Sequence, residues 1–169
     1  IGGLSIRTAL TRTAARAKRR RMTDGEAQLI AEAERRLGPK AVVTDPKELE
    51  PWVTDWRGRV HGAAPAMLAP ASTAEVAEIV RLAAEHRVPL VPQGGNTGMA
   101  AGATPPADGS ALLLSMRRMN RIRSISAESR LAVAEAGLIL ATLHEAANEL
   151  GMRFPLTLGA RGSATIGGL

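Results

Sequence analysis

Two stretches of this chain carry residue types that could hold a charged ligand. "PQGGNTGMAAGA", residues 92–103, sets Gly94, Gly95, Gly98 and Gly102 around Asn96 and Thr97. Glycines permit positive φ angles and remove the side chains that would keep a ligand off the backbone, so that N–H groups can converge on an anion. A lone glycine cluster is more often a plain surface turn, and spacing must decide between the two readings. A Walker phosphate loop needs a Lys-Ser/Thr pair after its last glycine, whereas Gly98 is followed by Met99 and Ala100. A dinucleotide fingerprint feeds a helix, whereas this loop runs into Thr104-Pro105-Pro106 and a strand. Both familiar phosphate motifs fail. A second stretch, "PLTLGARGSATIGG" at residues 155–168, interleaves Gly159, Gly162, Gly167 and Gly168 with the hydroxyls of Ser163 and Thr165. Two such loops, each following a core element, point to one extended ligand, and a nucleotide cofactor with a diphosphate has that length.

Other candidate chemistry is thin. His61, His86 and His144 do not pair at metal-ligand spacing, and each reads as a surface or helix-face residue. No metal site is expected. Ser163 lacks a G-x-S-x-G elbow and reads as a small polar contact. With no cysteine, disulfides, thiolate metal sites and thiol catalysis are excluded, and cytoplasm is the default compartment. No apolar run is long enough to span a bilayer, so a soluble protein is expected.

Length and charge bound the class. The 169 residues suit one domain, and Trp52, Trp56 and Phe154 are the only aromatics, so the core must be built from Ala, Val, Leu and Ile. The net charge of +6 comes from seven basic side chains, Arg7 to Arg21, that precede any acid; the rest of the chain is near neutral. That Arg-rich, acid-free start could be an organelle presequence or a nucleic-acid-binding arm, and is read here as a disordered leader ahead of a body beginning near Met22. Arg117, Arg118, Arg121 and Arg123 form a solvated strand edge offset by Glu128 and Glu135. No nucleic-acid partner is expected.

The elements that must position the loops follow from periodicity. Residues 24–37 form a helix stopped by Gly38-Pro39. Asp45 as N-cap, Pro46 in the first turn and Glu48 as capping-box partner open a second helix, ended by Pro51. "PAMLAPAS", residues 65–72, reads as a short strand. Ser72 with Glu75 then opens a helix whose face is Val76, Ile79, Val80 and Ala83, ending near Arg87. "VPLVP" runs directly into the first glycine loop; Met99, Met116 and Met119 fill gaps near the Ala-rich core. "ALLLS" is a buried strand, "RIRSIS" and "RLAVAEAG" pair around a turn at residues 127–129, and a last helix carries Ile139, Leu143, Ala146 and Leu150 on one face, capped by Gly151. The mixture implies an α+β fold, not a simple doubly wound sheet.

In this order, "VPQGGNTGM", "RMNRI", "AVAEAG" and "FPLTLGARGSATIGG" closely resemble the FAD-binding PCMH-type domain of vanillyl-alcohol-oxidase-type flavoproteins, in particular the FAD-linked D-lactate, glycolate and D-2-hydroxyglutarate dehydrogenases. The resemblance covers residues 64–168, with 45–59 compatible as lead-in. Together with the charge run and the periodicity, it divides the chain into a basic leader at residues 1–21, a helical lead-in at 22–59 and a partial FAD-binding domain at 60–169. It further implies that Gly94, Gly95, Asn96, Thr97 and Gly98, flanked by Pro92 and Met99, wrap the FAD diphosphate. Pro155, Leu158, Gly159, Gly162, Ser163, Ile166 and Gly168 would follow the ribityl chain and the edge of the isoalloxazine. Covalent relatives bond the flavin through a histidine after the two glycines of the first loop; Asn96 stands there, so non-covalent FAD is expected. Asp55-Trp56-Arg57 resembles a family lead-in to the active site.

The activity implied is oxidation of a D-2-hydroxyacid to a 2-oxoacid, with an unassigned electron acceptor. The catalytic base and substrate-binding residues belong to later parts of the family and are unknown here. Leu169 replaces the family's usual Asn, and the chain is expected to be a truncated piece, inactive alone. The competing readings are a non-catalytic nucleotide- or flavin-binding module and a basic-armed nucleic-acid-binding protein.

Overall fold

The computed structural model describes residues 20–169. The presumed leader lies outside the described residues except for Arg20 and Arg21. Arg20 pairs with the buried carboxylate of Glu26, and its guanidinium also reaches the carbonyl of Gly109 at 3.3 Å.

Helix α1 spans Asp24–Leu37, with Thr23 and Glu26 exchanging hydrogen bonds as a capping box. Strand β1, Val42–Val43, leads to α2, Pro46–Val53. Here the structure departs from the sequence reading. Pro51 sits inside α2, and Asp45 accepts from the N–H of Lys47 with no capping box to Glu48. Burial of Leu49 and Val53 carries the helix through the proline, which forfeits one backbone bond. Strand β2 is only Met67–Leu68, shorter than the eight residues expected.

Helix α3, Thr73–His86, is capped by Ser72 accepting from the Glu75 N–H at 3.2 Å, while the Glu75 carboxylate reaches one residue further back, to the N–H of Ala71. It buries Ile79, Leu82 and Ala83 and leaves Val80 49% exposed, so Leu82 replaces Val80 on the core face. Arg87 closes the helix in the left-handed region, at φ 55°.

Strands β3, Leu90–Gln93, and β4, Leu112–Ser115, complete a four-stranded sheet in the order β1-β2-β4-β3; β1 is antiparallel to β2, and the other pairs are parallel. Side chains on successive strand residues point to opposite faces, and the two cores obey that alternation. Leu68, Leu112 and Leu114 join Leu29, Ala33, Ile79 and Leu82 under α1 and α3. Met67 and Leu113 join Val43, Leu49 and Val53 under α2. With helices on both faces, β4 is buried throughout, as a continuous apolar run requires.

Strands β5, Ile122–Ser126, and β6, Leu131–Ala134, form a separate antiparallel hairpin, as expected. Glu135, just past β6, ties the hairpin down: its carboxylate accepts from the backbone N–H of Arg121 at 3.0 Å and from the Arg121 guanidinium at 3.1 Å. Helix α4, Leu140–Glu149, buries Leu140, Leu143 and Ala147. Its inner face is therefore rotated from the expected one, and Ile139 and Leu150 are exposed. The first glycine loop leaves the carboxyl end of β3; the second wraps the amino end of α4.

Candidate functional site

The two glycine-rich loops touch. A β-carbon built on Gly94 would lie 2.1 Å from the Thr165 hydroxyl oxygen, and one on Gly95 would lie 1.7 Å from the Ser163 carbonyl oxygen. These two glycines therefore exist for close approach of one loop to the other. The left-handed positions fall elsewhere: Asn96 at φ 53° and Ala101 at φ 56°, while Gly94, Gly95, Gly98 and Gly102 lie outside that region. Asparagine takes this conformation more readily than most residues with a side chain.

Between the loops lies a cleft of about 260 Å³, lined from the first by Pro92 to Gly98 and from the second by Ala164, Thr165, Gly167 and Gly168, with Met116 and Ala136 completing the wall. That volume sits below the roughly 300–1,000 Å³ that encloses a drug-sized ligand, and suits one segment of an extended ligand. Among the described residues, no backbone hydrogen bond uses the N–H groups of Gly95, Asn96, Thr97 or Gly98. Four consecutive amides are thus free to donate, as a run of backbone N–H groups does around an anion. At Gly98 a β-carbon would meet nothing within 4 Å.

The second loop spends its backbone differently. The carbonyls of Ala164 and Arg161 accept from the N–H groups of Leu140 and Ala141, satisfying the first turn of α4. The amides of Ile166 and Gly167 donate to Leu138 and Ala136. Thr165 lines the cleft, and its hydroxyl, buried against Gly94 where the loops meet, has no partner among the described residues.

Of the residues singled out from the sequence, Pro92, Gly94, Gly95, Asn96, Thr97, Gly98 and Gly168 meet in the cleft. Pro155, Leu158, Gly159 and Gly162 lie on the exposed course of the second loop and do not line the cleft; Ser163 is exposed as well, but its carbonyl abuts Gly95 at the cleft's edge. Ile166 lines a separate apolar groove between the hairpin and α4. Met99 is 65% exposed and its sulfur accepts from the Arg57 guanidinium at 3.4 Å.

The polar cleft residue that escaped the sequence reading is Gln93. Gln93 is 2% exposed; its amide NH2 donates to the carbonyls of Trp52 at 2.9 Å and Ala103 at 2.8 Å, leaving its Oε1 buried without a partner among the described residues. The only available signal for Gln93 is its place beside glycines, since a lone Gln has no diagnostic spacing, whereas Thr165 is named from the sequence for its hydroxyl and does line the cleft.

On the far side of the first loop, Asp55 and Trp56 face a second, open groove with Gly95 and Asn96. The Asp55 carboxylate accepts from the N–H groups of Val60 and Arg59, both at 2.7 Å, and these bonds, that from Val60 foremost, hold its pKa below the usual value. The histidines bind locally: His61 meets Thr54 at 3.2 Å, His86 meets Glu32 at 3.2 Å, and His144 meets the Leu156 carbonyl at 2.9 Å. Arg118 donates to the Ala69 carbonyl and Arg117 lies over the Trp52 ring, so the arginines around residue 120 are engaged with the body as well as with solvent.

Known proteins with this arrangement form a coherent set. A family model described as "FAD binding domain" matches residues 64–169. D-2-hydroxyglutarate dehydrogenase, mitochondrial, of Bos taurus is 44% identical over 133 residues, covering 79% of this chain and 24% of that protein. The protein of that name from Arabidopsis thaliana is 41% identical over 132 residues, covering 78% and 23%. D-2-hydroxyglutarate dehydrogenase of Xanthomonas citri pv. viticola is 38% identical over 125 residues, covering 74% and 26%. The chain therefore spans about a quarter of the length of these curated relatives. Among solved structures, an alkyldihydroxyacetonephosphate synthase superposes with a TM-score of 0.77 at 19% identity, covering 89% of this chain and 29% of that one. The 4-ethylphenol oxidase from Gulosibacter chungangensis superposes with a TM-score of 0.71 at 27% identity, covering 87% and 29%. The observed fold is thus the α+β architecture expected, and among the described residues no helix is long and apolar enough to cross a membrane. By sequence match over most of its length, the chain belongs to the FAD binding domain family.

Proposed function

We propose that this chain forms the cofactor-holding part of a flavin-dependent dehydrogenase that oxidises a D-2-hydroxyacid to the 2-oxoacid, with FAD bound non-covalently. The observation that carries the reading is the cleft between the two loops: four cleft-lining residues whose N–H groups are unspent, and an unpartnered hydroxyl buried where the loops meet. This donor set fits a diphosphate. The buried Gln93 Oε1 accepts only, and so suits a hydroxyl or N–H of the sugar-alcohol portion instead of a phosphate oxygen. The relatives named for D-2-hydroxyglutarate, and one from Schizosaccharomyces pombe named as a putative D-lactate dehydrogenase, support a small 2-hydroxyacid as substrate.

When bound, FAD supplies the acceptor for the hydride leaving the hydroxyl-bearing carbon, while a base takes the hydroxyl proton. The chain's own part is placement. Gly95 to Gly98 donate to the diphosphate, Met116 and Ala136 keep water from one wall, and contact between the loops fixes the cleft width. Pro155, Leu158, Gly159, Gly162, Ser163 and Ile166 would reach the cofactor only where it extends beyond the cleft. The Asn96 amide nitrogen is no nucleophile, so no bond to the flavin forms there.

We place the protein in the cytoplasm on its lack of cysteine, and assign it no nucleic-acid partner because charge outside the first 21 residues is balanced. The word "mitochondrial" in several relatives' names defines the opposing outcome of cell fractionation. The activity test is dye reduction by the full-length protein with D-2-hydroxyglutarate and with D-lactate. Turnover of either, dependent on FAD, supports the reading; FAD-loaded protein inert toward a panel of 2-hydroxyacids overturns the substrate class.

A further inference from the structure

At the C-terminal end of α2, the carbonyls of Pro51, Trp52, Val53 and the capping residue Thr54 are all met, three of them from the glycine loop. Pro51 accepts from Asn96 Nδ2 at 3.2 Å and Thr54 from the same nitrogen at 2.7 Å. Trp52 accepts from Gln93 Nε2, and Val53 from the Gly62 N–H at 2.7 Å. Three of the four partners are thus donated by two side-chain carboxamides of the loop. Gln93 reaches further: its second donor is spent on Ala103, where the loop returns, so that one buried amide joins the end of β3, the end of α2 and the far foot of the loop.

We infer that Asn96 and Gln93 form a clasp that locks the glycine loop to the end of α2, making them positioning residues for the cofactor cradle. The assignment rests on the proposed function for what the cradle holds, and on hydrogen bonds alone for the clasp itself. Two physical reasons favour carboxamides at both sites. Each offers two donors from one nitrogen, which a serine, threonine or neutral imidazole nitrogen cannot. Each also quenches the unpaired carbonyls of a helix terminus, whose partial negative charge would otherwise stand beside a site for an anion. With its amide hydrogens engaged on α2, Asn96 serves the ligand through its backbone N–H, and its left-handed φ turns the chain so that side chain and main chain divide those tasks.

The test compares the full chain with Asn96→Asp, which keeps the shape and replaces two donors with a carboxylate facing two carbonyl oxygens. Amide hydrogen exchange is followed at residues 50–54 and at the feet of the loop, where the N–H groups of Thr104 and Met116 donate to the carbonyls of Ala101 and Gln93, and FAD affinity is titrated alongside. The clasp predicts that both stretches lose protection together, by about tenfold or more, the size expected when two hydrogen bonds are lost. It also predicts recovery as the pH falls, because a carboxylate held against carbonyls has a raised pKa and, once protonated, donates again. A destabilised but unclasped loop gives no such pH recovery. Gln93→Glu shows the same behaviour with Ala103 included. Loss of protection in only one stretch, or in neither, overturns the clasp. Wild-type protein that fails to bind FAD while exchange couples as described overturns the cofactor reading and leaves the clasp standing.

Discussion

Gly95 lies so close to Ser163 that a β-carbon on it would sit 1.7 Å from the Ser163 carbonyl oxygen, with the Ser163 carbonyl carbon at 2.7 Å. Both obstacles are backbone, so they cannot swing aside, and the two loops can close only while residue 95 is glycine. Gly98, three residues on, has open space where its side chain would be.

This contrast separates folding from binding. Gly95→Ala forces the loops apart and is expected to lower the melting temperature by about several degrees and to abolish FAD binding. Gly98→Ala leaves stability within about 0.5 kcal/mol of wild type but places a methyl group among the free amides, weakening FAD binding by about tenfold or more. Thermal melts paired with flavin titration check both. Equal effects of the two substitutions on melting temperature would contradict the assignment.

Leu113 tests the sheet. It is fully buried and alone among the β4 leucines in facing α2. Leu113→Ala is expected to cost about 2–5 kcal/mol, by lost burial and a residual cavity. Because α2 anchors the first loop, flavin affinity should fall as well, whereas Leu112→Ala, on the opposite face, should reduce stability with less effect on affinity.

The α1–α3 contact carries a defined acid dependence. Glu78 is held down to about 2 by Arg81 and then Arg36, from an ordinary value of 4.5. A depressed carboxylate pKa adds stability that is complete above the ordinary value and is lost as pH falls between the two. Glu135, lowered by Arg121, adds in the same direction. Melting temperatures of wild type and Glu78→Gln should therefore differ at neutral pH and converge between pH 4.5 and about 2. The difference should shrink in high salt, since these groups are exposed in part. A gap that stays constant across that range would rule the pair out as a source of acid sensitivity.

Much of this arrangement can be read from residue patterns, and the failures share one cause. Helix α1, the hairpin and the buried "LLLS" strand follow from periodicity and turn residues, which act locally. Pro51 reads as a stop, yet packing of Leu49 and Val53 under the sheet holds α2 together past it. Val80 and Leu82 are both apolar, and only the position of α1 decides which is buried. The glycines of the first loop are visible as ligand candidates, but their contact with Thr165 and Ser163 joins residues about 70 apart in the chain and has no local signature. Gln93 and Asn96 likewise find their partners more than 40 residues away, on a helix end that periodicity locates only approximately.

The most direct test of the account is saturation of the folded chain with FAD followed by acid precipitation. The cleft between the loops predicts stoichiometric uptake, abolished by Gly95→Ala, with all the flavin released into the supernatant. Folded protein that takes up no FAD, or flavin that stays with the precipitate, would contradict it.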